Sequence, residues 1–272
     1  MLGGDLEVRR LGFGAMRLCG PGILGWPRDR ENARRILRRA VELGVNLIDT
    51  AYAYGPEVNE LQIADALHPY PDGLVVATKG GVVRDGSGTW RREGRPEQVR
   101  AHCEGSLRRL RLERIDLWQL HGPDRNVRFE DTVGELARLR DEGKIRHVGL
   151  SNVGVDLLER ARRIVTIVSV QNRYNLVDRA SDEVLRHCER EGIGFLPWYP
   201  LDVGRLAEPG GRLEGFARAK GATPAQIVLA WLLHRSPATL PIPGTASLAH
   251  LEENVAAARL ALGDDDLASL AG

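Results

Sequence analysis

Residues 115–151, IDLWQLHGPDRNVRFEDTVGELARLRDEGKIRHVGLS, contain one complete structural unit. Ile115 to His121 is a short apolar run ending in a polar residue, which reads as a buried strand. An amphipathic stretch begins near Glu130 and closes on Glu142-Gly143, a helix ending on glycine. Ile145 to Ser151 then repeats the strand pattern. A strand, a crossover helix and a second strand in this order build a parallel sheet.

The same alternation runs outward in both directions until eight pairs are counted. The strands are read as Leu11 to Ala15, Val45 to Asp49, Leu74 to Lys79, Ile115 to His121, Ile145 to Ser151, Ile167 to Asn172, Ile193 to Trp198 and Thr239 to Pro243. Helices are expected to start near Arg30, Glu57, Pro96, Glu130, Val155, Ser181, Pro224 and Ser247. Arg95-Pro96-Glu97-Gln98 and Thr223-Pro224 supply helix-start chemistry, and Leu43-Gly44 a helix end. Two further helical pieces, Arg212 to Lys220 and Asp264 to Ala271, decorate the repeat. Eight βα units without a break in composition predict an α/β protein, a (β/α)₈ TIM barrel formed by a single domain over residues 1–272. Chemistry in such a barrel gathers at the C-terminal ends of the strands. Here those ends carry Asp49, Lys79, His121, Ser151-Asn152, Gln171-Asn172 and Trp198.

Composition narrows the partner. The formal net charge is +1, with both signs interspersed, which gives no field for nucleic acid or an anionic membrane and favours a small molecule. Cys19, Cys103 and Cys188 lie far apart without metal-ligand spacing, so no disulfide framework or metal site is expected. The N-terminus lacks an apolar signal core, and no window approaches the roughly 20 apolar residues of a membrane span. A cytoplasmic location is the expectation; oligomeric state is left open. Of the 38 basic residues only Lys79, Lys144 and Lys220 are lysines, so a lysine closing an apolar strand invites a reason specific to an amine.

Gly20-Pro21-Gly22-Ile23-Leu24-Gly25 matches a dinucleotide-binding GxGxxG. That motif works by running its glycine turn straight into a helix. Here Trp26-Pro27-Arg28-Asp29 intervenes and Pro21 removes an N–H, so the segment is read as a loop over the barrel mouth.

Reduction of a carbonyl requires a proton on its oxygen. A phenol, with an ordinary pKa of about 10, can give one if positive charge beside it lowers that value. Tyr54, Lys79 and Asp49 meet the requirement, with His121 placed to orient the carbonyl oxygen. Taken singly, Asp49 could be a helix cap, Tyr54 a loop aromatic, Lys79 a surface cation and His121 a core imidazole. Their coincidence at the ends of successive strands favours the catalytic reading.

Asp49-Thr-Ala-Tyr-Ala-Tyr54-Gly55, Thr78-Lys79-Gly80-Gly81, Leu120-His121, Gly149-Leu-Ser151-Asn152 and Gln171-Asn-Arg-Tyr-Asn175 resemble, in order and spacing, the signatures of the aldo-keto reductase family. The resemblance implies a catalytic tetrad of Asp49, Tyr54, Lys79 and His121. It also implies a nicotinamide site at Gly14, Ala15, Ser151, Asn152 and Gln171, with an aromatic ring stacked on the nicotinamide, Trp198 or its competitor Tyr199, followed by Pro200, Leu201 and Gly204. Ile242, Gly244, Thr245, Ser247, His250, Glu253 and Asn254 resemble the family's adenosine-phosphate loop. Gly244 and His250 stand where relatives often place a cation for the 2′-phosphate, yet NADP(H) is expected ahead of NAD(H). Gly14-Ala-Met-Arg-Leu-Cys-Gly-Pro-Gly and Ile242-Pro-Gly-Thr resemble more narrowly the bacterial pyridoxal reductase branch, and pyridoxal becomes a candidate substrate. Met16 and Trp90 are expected to face a small-molecule carbonyl substrate. Two other functions remain open: a Schiff-base lyase using Lys79, and a nicotinamide-binding regulatory subunit.

Overall fold

A computed structural model describes residues 1–208, 210–211 and 213–271. Seven parallel strands pair in the order β1-β2-β3-β6-β7-β8-β9: β1 Phe13–Gly14, β2 Leu47–Asp49, β3 Val75–Gly80, β6 Ile115–Leu120, β7 Ile145–Ser151, β8 Ile167–Gln171 and β9 Gly194–Phe195. Each is followed by a crossover helix or turn, and the main helices are α1 Arg30–Glu42, α2 Val58–Leu67, α3 Pro96–Leu110, α4 Phe129–Asp141, α5 Val155–Arg162, α6 Asp182–Glu191, α8 Pro224–Arg235 and α9 Leu248–Ala256. The decorating pieces are α7 Glu214–Ala219 and α10 Asp264–Ala271; Arg212, the predicted start of the first, lies outside the described residues. Helix entry follows the sequence chemistry. Thr223 accepts from Gln226 N while the Gln226 side chain accepts from Thr223 N, a closed capping box ahead of Pro224.

The eighth predicted strand, Thr239 to Pro243, is where the pattern changes. It forms no regular ladder, although it closes the sheet. Phe195 N donates to Ala238 O at 2.8 Å and Leu240 N to Phe195 O at 2.7 Å, while Gly12 N and Gly14 N donate to Pro241 O at 2.9 Å and Pro243 O at 3.2 Å. The prolines offer carbonyls but no N–H, so the return bonds of a ladder cannot form there. A second departure is the antiparallel pair β4 Val82–Arg84 and β5 Trp90–Arg92, which lies between the predicted strand ending at Lys79 and the predicted helix at Pro96. Residues 20–25 form a short turn at Pro21–Ile23, and α1 begins only at Arg30, so the glycines do not feed a helix N-terminus.

Alternation along the strands explains both core and site. Leu47, Val75, Ala77 and Leu117 point into the barrel with Leu240 and Ile242, above a floor made by Leu2 and Leu6. Ile48 and Val76 point outward against α1 and α2, and Trp118 outward against α4. Continuing the inward set by one period-two step puts Asp49, Lys79 and Gln119 in the uppermost layer. Within the described residues, no helix is long and apolar enough to cross a membrane and no three His, Cys, Asp or Glu cluster as metal ligands.

Candidate active site

Lys79 lies on the inner face near the end of β3, with no solvent exposure. Its Nζ donates to Asp49 Oδ2 at 2.6 Å and to Thr50 O at 2.8 Å, and stands 3.5 Å from the Tyr54 hydroxyl. Asp49 Oδ1 accepts from Gln171 Nε2 at 2.8 Å and from Gln119 Nε2 at 3.3 Å. Both oxygens of the buried carboxylate are therefore satisfied, the condition under which an ion pair survives desolvation. Gln119 was not among the predicted residues, though its place as the polar member of an apolar strand, in inward register with Leu117, was a usable signal. Gly149 makes room for it, since a Cβ there would strike the Gln119 stem and the Ser169 hydroxyl.

Tyr54 is buried against Ala51, Cys19, Met16 and Ile23. Its ring meets His121 edge-on at 5.8 Å between centroids and Trp90 at 6.4 Å, and Trp90 meets His121 at 6.0 Å. The hydroxyl thus sits at the base of an aromatic mouth. His121 Nδ1 is buried without a partner, whereas Nε2 is free toward the cleft. The His121 carbonyl accepts from Asn152 Nδ2 at 3.0 Å, and the same amide nitrogen donates to Ser151 Oγ at 3.0 Å. Ser151 Oγ donates to Gln171 O at 2.8 Å, and Trp198 Nε1 donates to Asn152 Oδ1 at 3.1 Å. Asn152 adopts φ 59°, a left-handed conformation costly for a non-glycine residue and held here by these bonds.

Charge states follow from this packing. Burial opposes the Lys79 ammonium, but Asp49 and Tyr54 outweigh it and its pKa rises. Burial raises the Tyr54 phenol above its ordinary value, against the opposing pull of Lys79. The sequence reading had that phenol lowered; desolvation dominates because the ring is walled in by Cys19, Trp90 and His121. Burial, then Lys79 and Arg92, hold the His121 imidazole well below its ordinary value, so it is neutral.

A single cleft of about 1570 Å³ runs from this mouth to α9, larger than the roughly 300–1,000 Å³ of an ordinary small-molecule site. Met16 and Trp90 line one end. Gly14, Ser151, Asn152, Gln171, Trp198, Pro200, Leu201 and Gly204 line the middle, and Ile242, Gly244, Thr245, His250, Glu253 and Asn254 the far end. Two predicted contacts fall outside the lining. Ala15 is wholly buried, its carbonyl taken by Asn59 Nδ2 at 2.9 Å. Ser247 caps α9, its hydroxyl accepting from His250 N and its own N–H donating to Thr245 Oγ1. Tyr199 lines the cleft beside Trp198, so both aromatic candidates are available. Arg17, Arg91 and Arg92 also line the cleft; in a chain so rich in arginine, type alone does not mark a functional cation.

Residues 10–272 match the aldo/keto reductase family model. The chain belongs to the aldo/keto reductase family. This makes it an oxidoreductase. An uncharacterised oxidoreductase of Schizosaccharomyces pombe is 49% identical over 98% of this chain and 87% of its own length. Pyridoxine 4-dehydrogenase of Escherichia coli is 42% identical over 99% of this chain and 96% of its own length. Among solved structures, the glycerol dehydrogenase of Gluconobacter oxydans superimposes with a TM-score of 0.91 at 25% identity, covering 99% and 93% of the two chains. An aldo-keto reductase of Klebsiella pneumoniae in complex with NADPH gives 0.84 at 26%, covering 99% and 92%. Solved neighbours of this aldo/keto reductase therefore include one seen with the phosphorylated cofactor.

Proposed function

We propose that the protein reduces an aldehyde or ketone to the alcohol, using NADPH as reductant and Tyr54 as proton donor. The observation that carries this is Lys79, sealed between Asp49 and the Tyr54 hydroxyl with no access to water. A lysine so placed, with its pKa raised, is a poor nucleophile, which disfavours the Schiff-base reading. It is well suited to stabilise a tyrosinate on the Tyr54 oxygen 3.5 Å away.

The cleft suits a nicotinamide dinucleotide in its donors as well as its size. The Gly14 and Gly244 backbones touch so closely that a Cβ on either would collide with the facing strand, leaving a flat wall with Thr245 and the first turn of α9 beside it. Arg17, whose stem packs over Gly244, supplies a cation for a cofactor phosphate where Gly244 and His250 lack one. Ser151, Asn152 and Gln171 would face a carboxamide, and the Trp198 or Tyr199 ring would cover the nicotinamide. When bound, the cofactor supplies the hydride. The chain does the rest. His121, neutral, carries its proton on Nε2, since its buried Nδ1 has no acceptor, and that N–H donates to the carbonyl oxygen. Tyr54 then gives its proton to the same oxygen, and Lys79 holds the resulting phenolate until solvent returns a proton.

Pyridoxal is the first substrate to try, because the Escherichia coli relative is named for pyridoxine oxidation. The three buried, unpaired cysteines fit a reducing cytoplasm. Following NADPH absorbance across pyridoxal and aromatic aldehydes, beside calorimetric titration of NADPH and NADH, tests the proposal. Turnover of one or more aldehydes with binding of NADPH supports it; a protein that binds neither cofactor and reduces none of them ends it.

A further inference from the structure

Trp90, which forms the lip over Tyr54 and His121, belongs to the β4–β5 hairpin, and that hairpin carries two arginines into the cleft, Arg91 and Arg92. Their situations differ. Arg91 has a carboxylate, Glu93, at 3.6 Å. Arg92 has none within 4.0 Å among the described residues. Its guanidinium lies along the His121-Gly122 backbone, where Nη1 donates to His121 O at 3.2 Å and where a Cβ on Gly122 would occupy its place. Asp124, the nearest carboxylate, has both oxygens engaged by the Gly94 and Asn126 N–H groups at 3.0 and 2.9 Å. Arg84, at the other end of the hairpin, is consumed by the carbonyls of Gly22, Ile23 and Gly88 and by the Trp90 ring. The carbonyl end of the cleft therefore holds one guanidinium with four unspent N–H donors beside His121, while the Lys79 and Asp49 charges cancel one another.

A cation kept at a mouth without its own counter-ion is suited to an anion brought by the ligand. We propose that Arg92 binds an anionic group on the substrate, a carboxylate or a phosphate ester, so that the protein prefers aldehydes that carry one. The preference rests on the reductase reading above and adds to it the charge of the substrate. The competing structural role, support of His121 through its carbonyl, would act on every substrate alike.

Two matched pairs separate these: 4-carboxybenzaldehyde against benzaldehyde, and pyridoxal 5′-phosphate against pyridoxal, each at saturating NADPH with wild type and Arg92→Gln. Glutamine removes the charge, and the accompanying loss of the Nη1 bond to the His121 carbonyl lowers both members of a pair alike. The wild type is expected to favour the charged member of one or both pairs by a factor on the order of 10 to 100 in kcat/KM, and Arg92→Gln to bring that ratio near one. The pair that responds identifies carboxylate or phosphate. A wild-type ratio near one, or equal losses on both members in the variant, overturns the proposal, as does a weakened Kd for NADPH with the ratio preserved. If no aldehyde is reduced, the reductase reading falls on its own, and calorimetry with 4-carboxybenzyl alcohol and inorganic phosphate decides Arg92: binding lost in Arg92→Gln supports it, and identical isotherms or no binding to wild type refute it.

Discussion

Replacing Lys79 by Met removes the ammonium while keeping much of the stem, and its effect can be sized from one distance. With 3.5 Å between Nζ and the Tyr54 hydroxyl, a full negative charge on that oxygen is stabilised by about 5 kcal/mol at an effective dielectric of about 20. At roughly 1.4 kcal/mol per decade, losing it slows proton transfer by about three orders of magnitude, inside the 10²–10⁴ range of general acid catalysis. Stability should fall too, because the Asp49 carboxylate would stay buried with only Gln171 and Gln119 as partners, a loss of about 3–5 kcal/mol. Adding Asp49→Asn to Lys79→Met should restore much of the stability and none of the turnover. Steady-state reduction of an aromatic aldehyde, a fluorescence titration of NADPH and urea unfolding measure the three quantities. Turnover within tenfold of wild type, with cofactor bound normally, would refute the electrostatic argument, as would a fully active Lys79→Arg, whose broad planar fork does not fit a site filled by one Nζ.

Tyr54→Phe should leave the Kd for NADPH within about a factor of two while lowering kcat by a factor on the order of 10² or more; parallel loss of binding would place Tyr54 in the cofactor site instead. The reduction rate should be flat through neutral pH and decline only on the alkaline side, because Tyr54 and Lys79 are both raised and must keep their protons, while His121 is held neutral. A kcat profile with an inflection near the ordinary histidine value would contradict that assignment. His102 provides a stability test away from the chemistry. Burial and the nearby Arg109 bring its pKa down to about 4, and its Nδ1 accepts from Gly81 N at 3.1 Å. A depressed folded-state value means that stability is complete above the unfolded pKa of about 6.5 and is lost as pH falls through about 4, up to roughly 3 kcal/mol. Melting temperatures of wild type and His102→Gln between pH 7 and 4 should diverge in slope; parallel curves would show that His102 does not carry the effect.

What the sequence disclosed was governed by period and by residue type. Parallel strands buried on both faces read as apolar runs, and a charged or amide group at the end of such a run has no packing explanation, so Asp49, Lys79, His121 and Gln171 stood out. The closing segment, Thr239 to Pro243, reads as a strand yet forms no ladder, because strand reading counts apolar residues whereas a ladder needs N–H donors, and Pro241 and Pro243 have none. The β4–β5 hairpin was hidden by arms of three residues, too short to show alternation, and its Arg92 by a composition in which arginine is the default surface cation. The direction of the Tyr54 shift depended on neighbours in space, Cys19, Trp90 and His121, which no local pattern brings together. Ala15 and Ser247 lie outside the cleft lining, the Ala15 carbonyl taken by Asn59 Nδ2 and the Ser247 hydroxyl accepting from His250 N at the start of α9.

The proline-bearing closure has a further bearing on behaviour. Because Gly12 and Gly14 give hydrogen bonds across it and receive none back from Pro241 and Pro243, the junction between the first and last staves is half-stitched. The ligand cleft straddles that junction, with Gly14 on one lip and Gly244 on the other. A dinucleotide lying over both would act as a clasp across a seam that lacks return hydrogen bonds. Amide exchange at Gly12 and Gly14 would then slow on ligand binding far more than at the fully laddered centre of β6 and β7, so that occupancy is written into the rhythm of the scaffold itself.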